Sequence, residues 1–99
     1  MQPDLEQLNR QEEVLDALGN GIRRKILRML RHNSLSVAQI AAGLPISRPA
    51  VSKHLRLLEY AELVTFEQLG AQKVYALQNA GFEVLVGYLN KVLHKTKTD

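Results

Sequence analysis

A short stretch of the sequence, residues 47–56, places cationic and hydroxyl side chains at helical spacing. On a helix with about 3.6 residues per turn, its apolar residues fall on one side and its polar residues on the other. The polar side carries Arg48, Pro49, Ser52, Lys53 and Arg56, with His54 at the boundary. Arginines can bind guanine edges or phosphates through paired hydrogen bonds, and this face has no carboxylate to repel them. The pattern fits two functions: a helix face that binds double-stranded DNA, with Ser47 and His54 as further contacts, or an ordinary amphipathic helix with a basic, solvated face.

The charges of the chain are strongly segregated, although its net charge is only +3. Residues 17–58 include no Asp or Glu, and most of the Lys and Arg residues lie there. Such a region attracts polyanions, although a solvated basic surface has the same pattern. Within it we expect Arg28 to contact a phosphate, whereas Arg23 and Arg24 could contact phosphate or form structural ion pairs. The acids that could pair with them are Glu59 and Glu62.

Capping residues indicate how the basic helix is positioned. Ser36 and Gln39 match a capping box at the start of a short helix. Ser47 then caps a second helix over residues 47–61, and Pro49 lies in its first turn, where a missing N–H costs nothing. Two short helices joined by a tight turn form a helix-turn-helix, here residues 36–61, whose second helix enters the major groove.

The remaining segments predict two helices before this motif, and a β-hairpin and a helix after it. Apolar residues recur at helical spacing before and after the motif, whereas VTFEQ and KVYAL alternate as strands do, with Gly70 in the turn between them. The predicted ranges are helices at 4–18, about 22–30 and 79–95, strands at 64–68 and 73–77, and a turn at 69–72. We predict a single domain, 1–99, that is mainly α with a small β-hairpin (α+β), in the order α-α-α-α-β-β-α.

This order resembles the ArsR-type winged helix-turn-helix repressors of bacteria and archaea. The residues that carry the resemblance are ALGNGIRRKILRML (17–30), SVAQIAAGLPISRPAVSKHLRLLEYAELV (36–64) and KVYAL (73–77). The resemblance implies a homodimer whose two DNA-binding helices enter successive major grooves of a near-palindromic operator, and repression by blocking the polymerase. It also makes the hairpin, 64–77, a wing. Only Lys73 of this wing is basic, so we expect a small contribution, such as one phosphate contact.

Both terminal helices carry apolar stripes that a chain of this size has little interior to bury. A symmetric dimer would bury the stripes of two chains together. The residues expected in that interface are Leu5, Leu8, Leu15, Phe82, Leu85, Leu89 and Val92.

Many members of this family sense metals, and the resemblance identifies where their ligands would lie. One family site uses cysteines at the start of the third helix, and another uses Asp, His and Glu residues of the last helix. The corresponding residues here are Ser36, Ala38, Asn79, Gly81, Val92 and Lys95. None is a strong ligand for a soft or borderline cation, and the chain has no Cys. The resemblance is therefore to the metal-independent branch, and we predict no metal site and no cofactor.

Other functional classes fit the sequence less well. There is no nucleophile–base pair at a recognisable spacing and no glycine-rich phosphate loop, so we predict no enzymatic activity. The N-terminal segment is polar and acidic, unlike a signal peptide, and no apolar run approaches the roughly 18 residues of a membrane span, which predicts a cytoplasmic protein. Two alternatives stay open: a winged-helix protein-interaction module, and an RNA or non-specific nucleic-acid binder. The sequence also leaves open whether a protein or small-molecule effector controls the chain.

Overall fold

The computed structural model describes residues 5–94 and shows a mainly helical domain with a small antiparallel sheet. In chain order the elements are α1 (Leu5–Leu18), α2 (Gly21–Met29), β1 (Leu35–Ser36), α3 (Val37–Ala42), α4 (Arg48–Tyr60), β2 (Val64–Leu69), β3 (Gln72–Leu77) and α5 (Asn79–Leu93). The predicted fold class is confirmed. The predicted helix ends at residues 4 and 95 lie outside the described residues.

The sheet has three strands, which corrects the predicted two. β1 pairs with β3, and β3 pairs with β2, all antiparallel. The missing strand is only two residues long, and Leu35 lies opposite Tyr75. A pair of residues cannot show an alternating pattern, and its partner lies forty residues away along the chain. β1 fixes the start of α3 to the wing because Ser36 ends the strand and caps the helix.

The wing hairpin is tighter than predicted. Leu69 pairs with Gln72, so the turn consists of Gly70 and Ala71 alone and the predicted four-residue turn is wrong at both ends. Gly70 has a φ of 61°, which a side-chain-bearing residue rarely adopts. A two-residue turn keeps the strands in register and holds the tip of the wing in a defined position.

The predicted caps of α3 and α4 are confirmed in detail. Gln39 N–H donates to the Ser36 hydroxyl at 3.2 Å, and Ser36 N–H donates to the Gln39 side chain at 2.8 Å, which completes the capping box. Ala50 N–H donates to the Ser47 hydroxyl at 3.3 Å at the start of α4. These caps satisfy N–H groups that no helical carbonyl can reach. They set where α3 and α4 begin, and therefore which side chains α4 exposes.

The core lies between α4 and the helices that surround it. Val51, Leu55 and Leu58 of α4 are completely buried, as predicted, and pack in one cluster with Ile26 of α2 and Ile40 of α3. Burial of an aliphatic side chain of this size stabilises the fold by about 1.5–3 kcal/mol. The apolar side of α4 therefore fixes the direction in which its polar side points.

α1 enters the core mainly through two residues, Val14 and Ala17, and Leu18 packs against them partly buried. Val14 and Ala17 are buried, whereas Leu15 is half-buried and Leu5 and Leu8 are exposed. The predicted leucine stripe is therefore only partly a core stripe. Most of its apolar surface lies outside the core of this chain.

α4 ends in a Schellman turn that also anchors α5. Leu63 N–H donates to the carbonyl of Leu58 at 3.0 Å, and Glu62 N–H donates to that of Glu59 at 2.9 Å. Glu62 has a φ of 58° in this turn, where glycine is the usual residue. Its carbonyl accepts the N–H of Gly81 at 2.8 Å. The end of the proposed DNA-binding helix is thus hydrogen-bonded directly to the first turn of α5.

Candidate nucleic-acid interface

The polar side of α4 is open to solvent, as the residue spacing predicts. Arg48, Pro49, Ser52 and Lys53 are exposed, whereas the apolar side of the helix is closed off in the core. The acid-free first two turns place two cations and a hydroxyl where a ligand can approach them. Paired guanidinium donors, a lysine charge and a small hydroxyl are the groups that contact base edges and phosphates.

This face of α4 opens onto a cleft that it shares with α3 and the wing. The cleft brings the predicted contacts Arg48, Pro49 and Ser52 together with Lys73. Its full lining is Ser36, Val37, Ala38, Arg48, Pro49, Ser52, Gln68, Ala71, Gln72 and Lys73. An α-helix fills a major groove while a wing lies along the adjoining backbone, and a surface of this composition suits both contacts.

The sequence did not indicate the part that two wing glutamines play in this cleft. Gln68 donates from its amide to the carbonyls of Gly70 at 3.1 Å and Gln72 at 3.3 Å, which braces the turn. Gln68 also lies opposite Lys73 in the hairpin register. The sequence feature that could have indicated this role is the pair of glutamines, Gln68 and Gln72, that flank the turn.

Lys73 is held over an aromatic ring. Its Nζ lies 4.5 Å from the centroid of the Phe66 ring, which itself packs on Tyr75 with the ring centroids 5.4 Å apart. A cation–π contact holds the side chain near one position at the wing. The one basic residue of the wing is therefore ordered by the hairpin itself.

Arg56 lies apart from the cleft, although it shares a helix face with Arg48 in the sequence pattern. It lines a second hollow, with acidic neighbours, whose full lining is Arg10, Glu13, Arg56, Glu59, Tyr60 and Glu62. Burial raises the pKa of the Tyr75 phenol, and the charge of Glu59 raises it further, while Arg56 opposes them. The predicted basic face is therefore purely basic over the first two turns of α4 and mixed in charge from Arg56 onward.

His54 is half-buried and faces α2 rather than solvent. Its Nδ1 lies 3.2 Å from the Nη1 of Arg23. Burial lowers the pKa of the imidazole below 6.5, and the charges of Arg23 and Lys53 lower it further. The sequence placed His54 at the boundary of the polar face, and the structure shows that it points inward.

Arg23 and Arg24 bind backbone carbonyls rather than the acids that the sequence suggested. Arg23 donates to the carbonyls of Ala17 and Asp16 at the end of α1, and Arg24 donates to that of Leu18 at 2.7 Å. In the described part of the chain, neither arginine pairs with Glu59 or Glu62. The carboxylate of Glu62 is bound instead by Arg10 of α1, at 2.6 Å. Of the two uses that the sequence left open, the ion pair with Glu59 or Glu62 is not formed, and the arginines instead satisfy carbonyls at the end of α1 that have no helical partner.

Comparison with known proteins identifies the chain. The family model for the bacterial regulatory proteins of the arsR family matches residues 20–65. The chain is 45% identical over 74 residues, which are 75% of this chain and 69% of the relative, to the HTH-type transcriptional regulator Rv2034 of Mycobacterium tuberculosis. The chain belongs to the ArsR family. The ArsR relatives also include the transcriptional repressor SdpR of Bacillus subtilis, 28% identical over 86 residues that cover 87% of this chain and 96% of SdpR.

Solved structures of ArsR proteins share this fold. One is the homodimeric winged helix-turn-helix DNA-binding domain of Mb0332 from Mycobacterium bovis, described as a possible ArsR-family transcriptional regulator. It superposes with a TM-score of 0.73 at 27% identity, and the match covers 96% of this chain and 97% of that one. The winged helix-turn-helix that the sequence predicts is confirmed.

Two of the residues at the ArsR metal positions have structural roles in this chain. Gly81, which corresponds to a ligand position of the last helix, has no room for a side chain, because an added Cβ would lie 2.2 Å from the carbonyl oxygen of Ala61. Ser36 is occupied as the cap of α3. Among residues 5–94, no three His, Asp or Glu side chains are grouped as a metal site would need. The absence of metal sensing stays a prediction that a binding measurement must test.

The residues predicted for the dimer interface fall into two groups. Leu5, Leu8, Leu89 and Val92 are exposed, and Val92 keeps 62% of its surface accessible. Leu15, Phe82 and Leu85 are half-buried, and the last two pack against the core of their own chain. α1 and α5 also contact each other.

Within residues 5–94, no helix combines the length and the apolarity needed to cross a membrane.

Proposed function

We propose that this ArsR chain is a homodimeric transcriptional repressor that binds a near-palindromic DNA operator through α4. The observation that carries the proposal is the shared cleft, in which Arg48 and Ser52 of α4 face the same space as the wing. Family membership supports the same conclusion, because the relatives are named as transcriptional regulators and repressors. The family gives no reason to expect catalysis. We expect the chain to act in the cytoplasm, where prokaryotic DNA is found.

Each residue of the proposed interface has a distinct part. Arg48 and Ser52 face the cleft and would contact base edges, while Lys53 adds charge on the same side of α4. Ser47 and Pro49, at the start of α4, are further proposed DNA contacts. Phosphate contacts would come from exposed Arg28 of α2, from Lys73 on the wing and from Arg56 near the end of α4. Base contacts provide specificity, while phosphate contacts set the position of the protein on the duplex.

Dimerisation through α1 and α5 would place two copies of α4 on one face of the DNA. The exposed leucines and Val92 of these helices form the surface that a second copy would cover. Mb0332, whose fold this chain shares, is described as homodimeric. Two related half-sites about one helical turn apart, roughly 34 Å, are then expected in the operator.

The test is a DNA-binding measurement with selected sequences. Genomic fragments that the protein retains are sequenced, and the enriched duplex and a scrambled control are titrated by fluorescence anisotropy across a salt series. We expect a complex of dimer size, at least about 10³-fold preference for the enriched duplex, and a steep loss of affinity with salt. Zinc should leave the affinity unchanged if the ArsR metal positions bind no metal.

The same titration separates the rival functions. Equal affinity for both duplexes, with a steep salt dependence, would indicate a non-specific nucleic-acid binder, and RNA would then be compared directly. An absence of salt-dependent binding to any DNA would indicate that the basic helix binds an acidic protein partner. Release of the DNA by zinc would contradict the assignment to the metal-independent branch. No effector is assigned by this proposal.

A further inference from the structure

We propose that Arg23 is a positioning residue that joins α1 to α4 through His54, and that DNA binding requires the neutral form of this histidine. The inference rests on the proposed function, because the readout of the contact is the affinity for DNA. In this inference His54 acts as a neutral hydrogen-bond acceptor, and not as a positively charged surface side chain that contacts a phosphate.

The guanidinium of Arg23 connects three helices. Its Nε donates to the carbonyl of Ala17 at 2.8 Å, and its Nη2 donates to that of Asp16 at 3.0 Å, both at the end of α1. Its Nη1 lies 3.2 Å from Nδ1 of His54 in α4. The backbone N–H of the same residue donates to Asn20, the cap of α2. One side chain thereby fixes α1 and α4 relative to the start of α2.

The chemistry of the two side chains determines the protonation state of the contact. An arginine remains charged and can only donate hydrogen bonds. The Nδ1 of His54 must therefore accept, which requires a neutral ring with its proton on Nε2. A second proton would be added at Nδ1, where it would face a donor of like charge. Protonation of His54 therefore removes the bond and replaces it with repulsion.

The surroundings of His54 offer little compensation for a positive ring. Lys53 is its neighbour on α4, and Arg23 is the facing charge from α2. α3 contains no titratable side chain, and Asp16 of α1 enters the network through its backbone carbonyl. Among residues 5–94, no hydrogen bond joins His54 to a carboxylate. These charges act in the same direction as burial, which lowers the pKa of the imidazole.

The position of His54 makes the contact relevant to DNA. His54 directly follows Lys53 in the sequence and lies one helical turn before the core residue Leu58. A contact made by His54 therefore helps to fix the rotation of α4, and with it the direction of the exposed face. At the other end of the network, α1 belongs to the proposed dimer. A contact between the two therefore helps to hold each α4 at the spacing that two half-sites require.

The experiment measures affinity for the enriched duplex from pH 7.5 down through the pKa of His54, which imidazole NMR on the full chain determines. Wild-type affinity should decline as the pH falls through the lowered pKa of His54, by up to about tenfold per pH unit for each protomer. His54→Asn should abolish this decline and keep the affinity at pH 7.5, because an amide oxygen can accept from Arg23 without titrating. Arg23→Gln should lower the affinity at pH 7.5 and also abolish the decline.

Matched controls separate positioning from charge and from folding. Arg24→Gln removes the same charge and a carbonyl contact of α1, but does not touch His54, so the wild-type decline with pH should persist. His32→Asn removes an exposed histidine and should also retain the decline. In ¹⁵N-labelled protein, imidazole NMR should show Nδ1 of His54 without a proton at pH 7.5, and Arg23→Gln should raise the pKa of this ring.

The outcomes distinguish the inference from the function on which it rests. A wild-type affinity that rises as the pH falls, with the rise lost in His54→Asn, would show that His54 contacts phosphate and would overturn the inference. The same decline in His54→Asn as in the wild type would also overturn it. If no genomic fragment is enriched at pH 7.5, the proposed function itself fails. Specific binding together with a flat wild-type profile would leave the function intact and refute only the part given to Arg23 and His54.

Discussion

Gly81 provides the sharpest test of how the DNA-binding helix is joined to the last helix. A Cβ built at this position lies 2.2 Å from the carbonyl oxygen of Ala61 and 2.8 Å from that of Glu62. Both atoms belong to the backbone of the turn that ends α4, so no flexible side chain can move aside. Gly81→Ala must shift the two segments by most of an ångström and weaken the 2.8 Å hydrogen bond from Gly81 to Glu62.

The expected cost follows from three contributions. Overpacking costs about 1–3 kcal/mol, and the weakened hydrogen bond costs about 1 kcal/mol. The higher helix propensity of alanine returns at most about 1 kcal/mol. We therefore expect a net loss of about 2 kcal/mol in the free energy of unfolding, which corresponds to a fall in Tm of roughly 8–16 °C for a domain of this size.

Gly87→Ala is the matched control, because it makes the same change in the same helix where an added Cβ meets no atom within 4 Å. It should be neutral or stabilise the chain by up to about 1 kcal/mol. Both variants are unfolded in denaturant at one fixed protein concentration, since dimerisation makes apparent stability depend on concentration. Equal stability of the two variants would refute the close approach of α4 and α5 described above.

Three further predictions concern the interface, the dimer and the pH. Arg48→Ala should cost about 1–3 kcal/mol of binding free energy on the enriched duplex and relax specificity at one position per half-site. Arg28→Ala should instead weaken binding to all duplexes alike and flatten the salt dependence. Equal losses of affinity from both variants on specific and scrambled DNA would contradict this division. Leu89→Lys should shift the chain toward monomers in analytical ultracentrifugation, because it would bury a charge in the proposed interface. A dimer that is unchanged by this substitution would show that the interface lies elsewhere. The pKa of His54 is lowered on folding, so the unfolded chain binds the extra proton more readily. The stability that this group contributes is therefore fully present above about pH 6.5 and is lost as the pH falls through the folded-state value. Denaturant titrations at pH 7 and 5 should show a larger loss of stability in the wild type than in His54→Asn.

Much of the local structure was readable because its causes are local. Ser36, Gln39 and Ser47 cap helices through atoms only three residues away, and glycine and proline act on their own backbone angles. The apolar spacing of Val51, Leu55 and Leu58 determined the buried side of α4, and with it the exposed one. The resemblance of the same segments to the ArsR repressors then supplied the order of the elements.

The limits of the sequence appear where the partner is distant. β1 is two residues long and exists only because β3 returns beside it, and Glu62 adopts a positive φ because the chain must turn into the wing. Arg23 looked like a phosphate contact or an ion-pair residue. Only the folded chain shows that the end of α1 presents carbonyls to it, and that His54 lies on its other side.

The sequence by itself therefore determined which residues form the helices, the hairpin and the basic face, because periodicity and capping depend on neighbours along the chain. The tertiary structure decided which of those residues share a surface. It grouped Arg48 and Ser52 with the wing, separated Arg56 into an acidic hollow, and turned His54 inward. The physical reason is that packing fixes the rotation and the contacts of each helix, and these depend on side chains far away in the sequence.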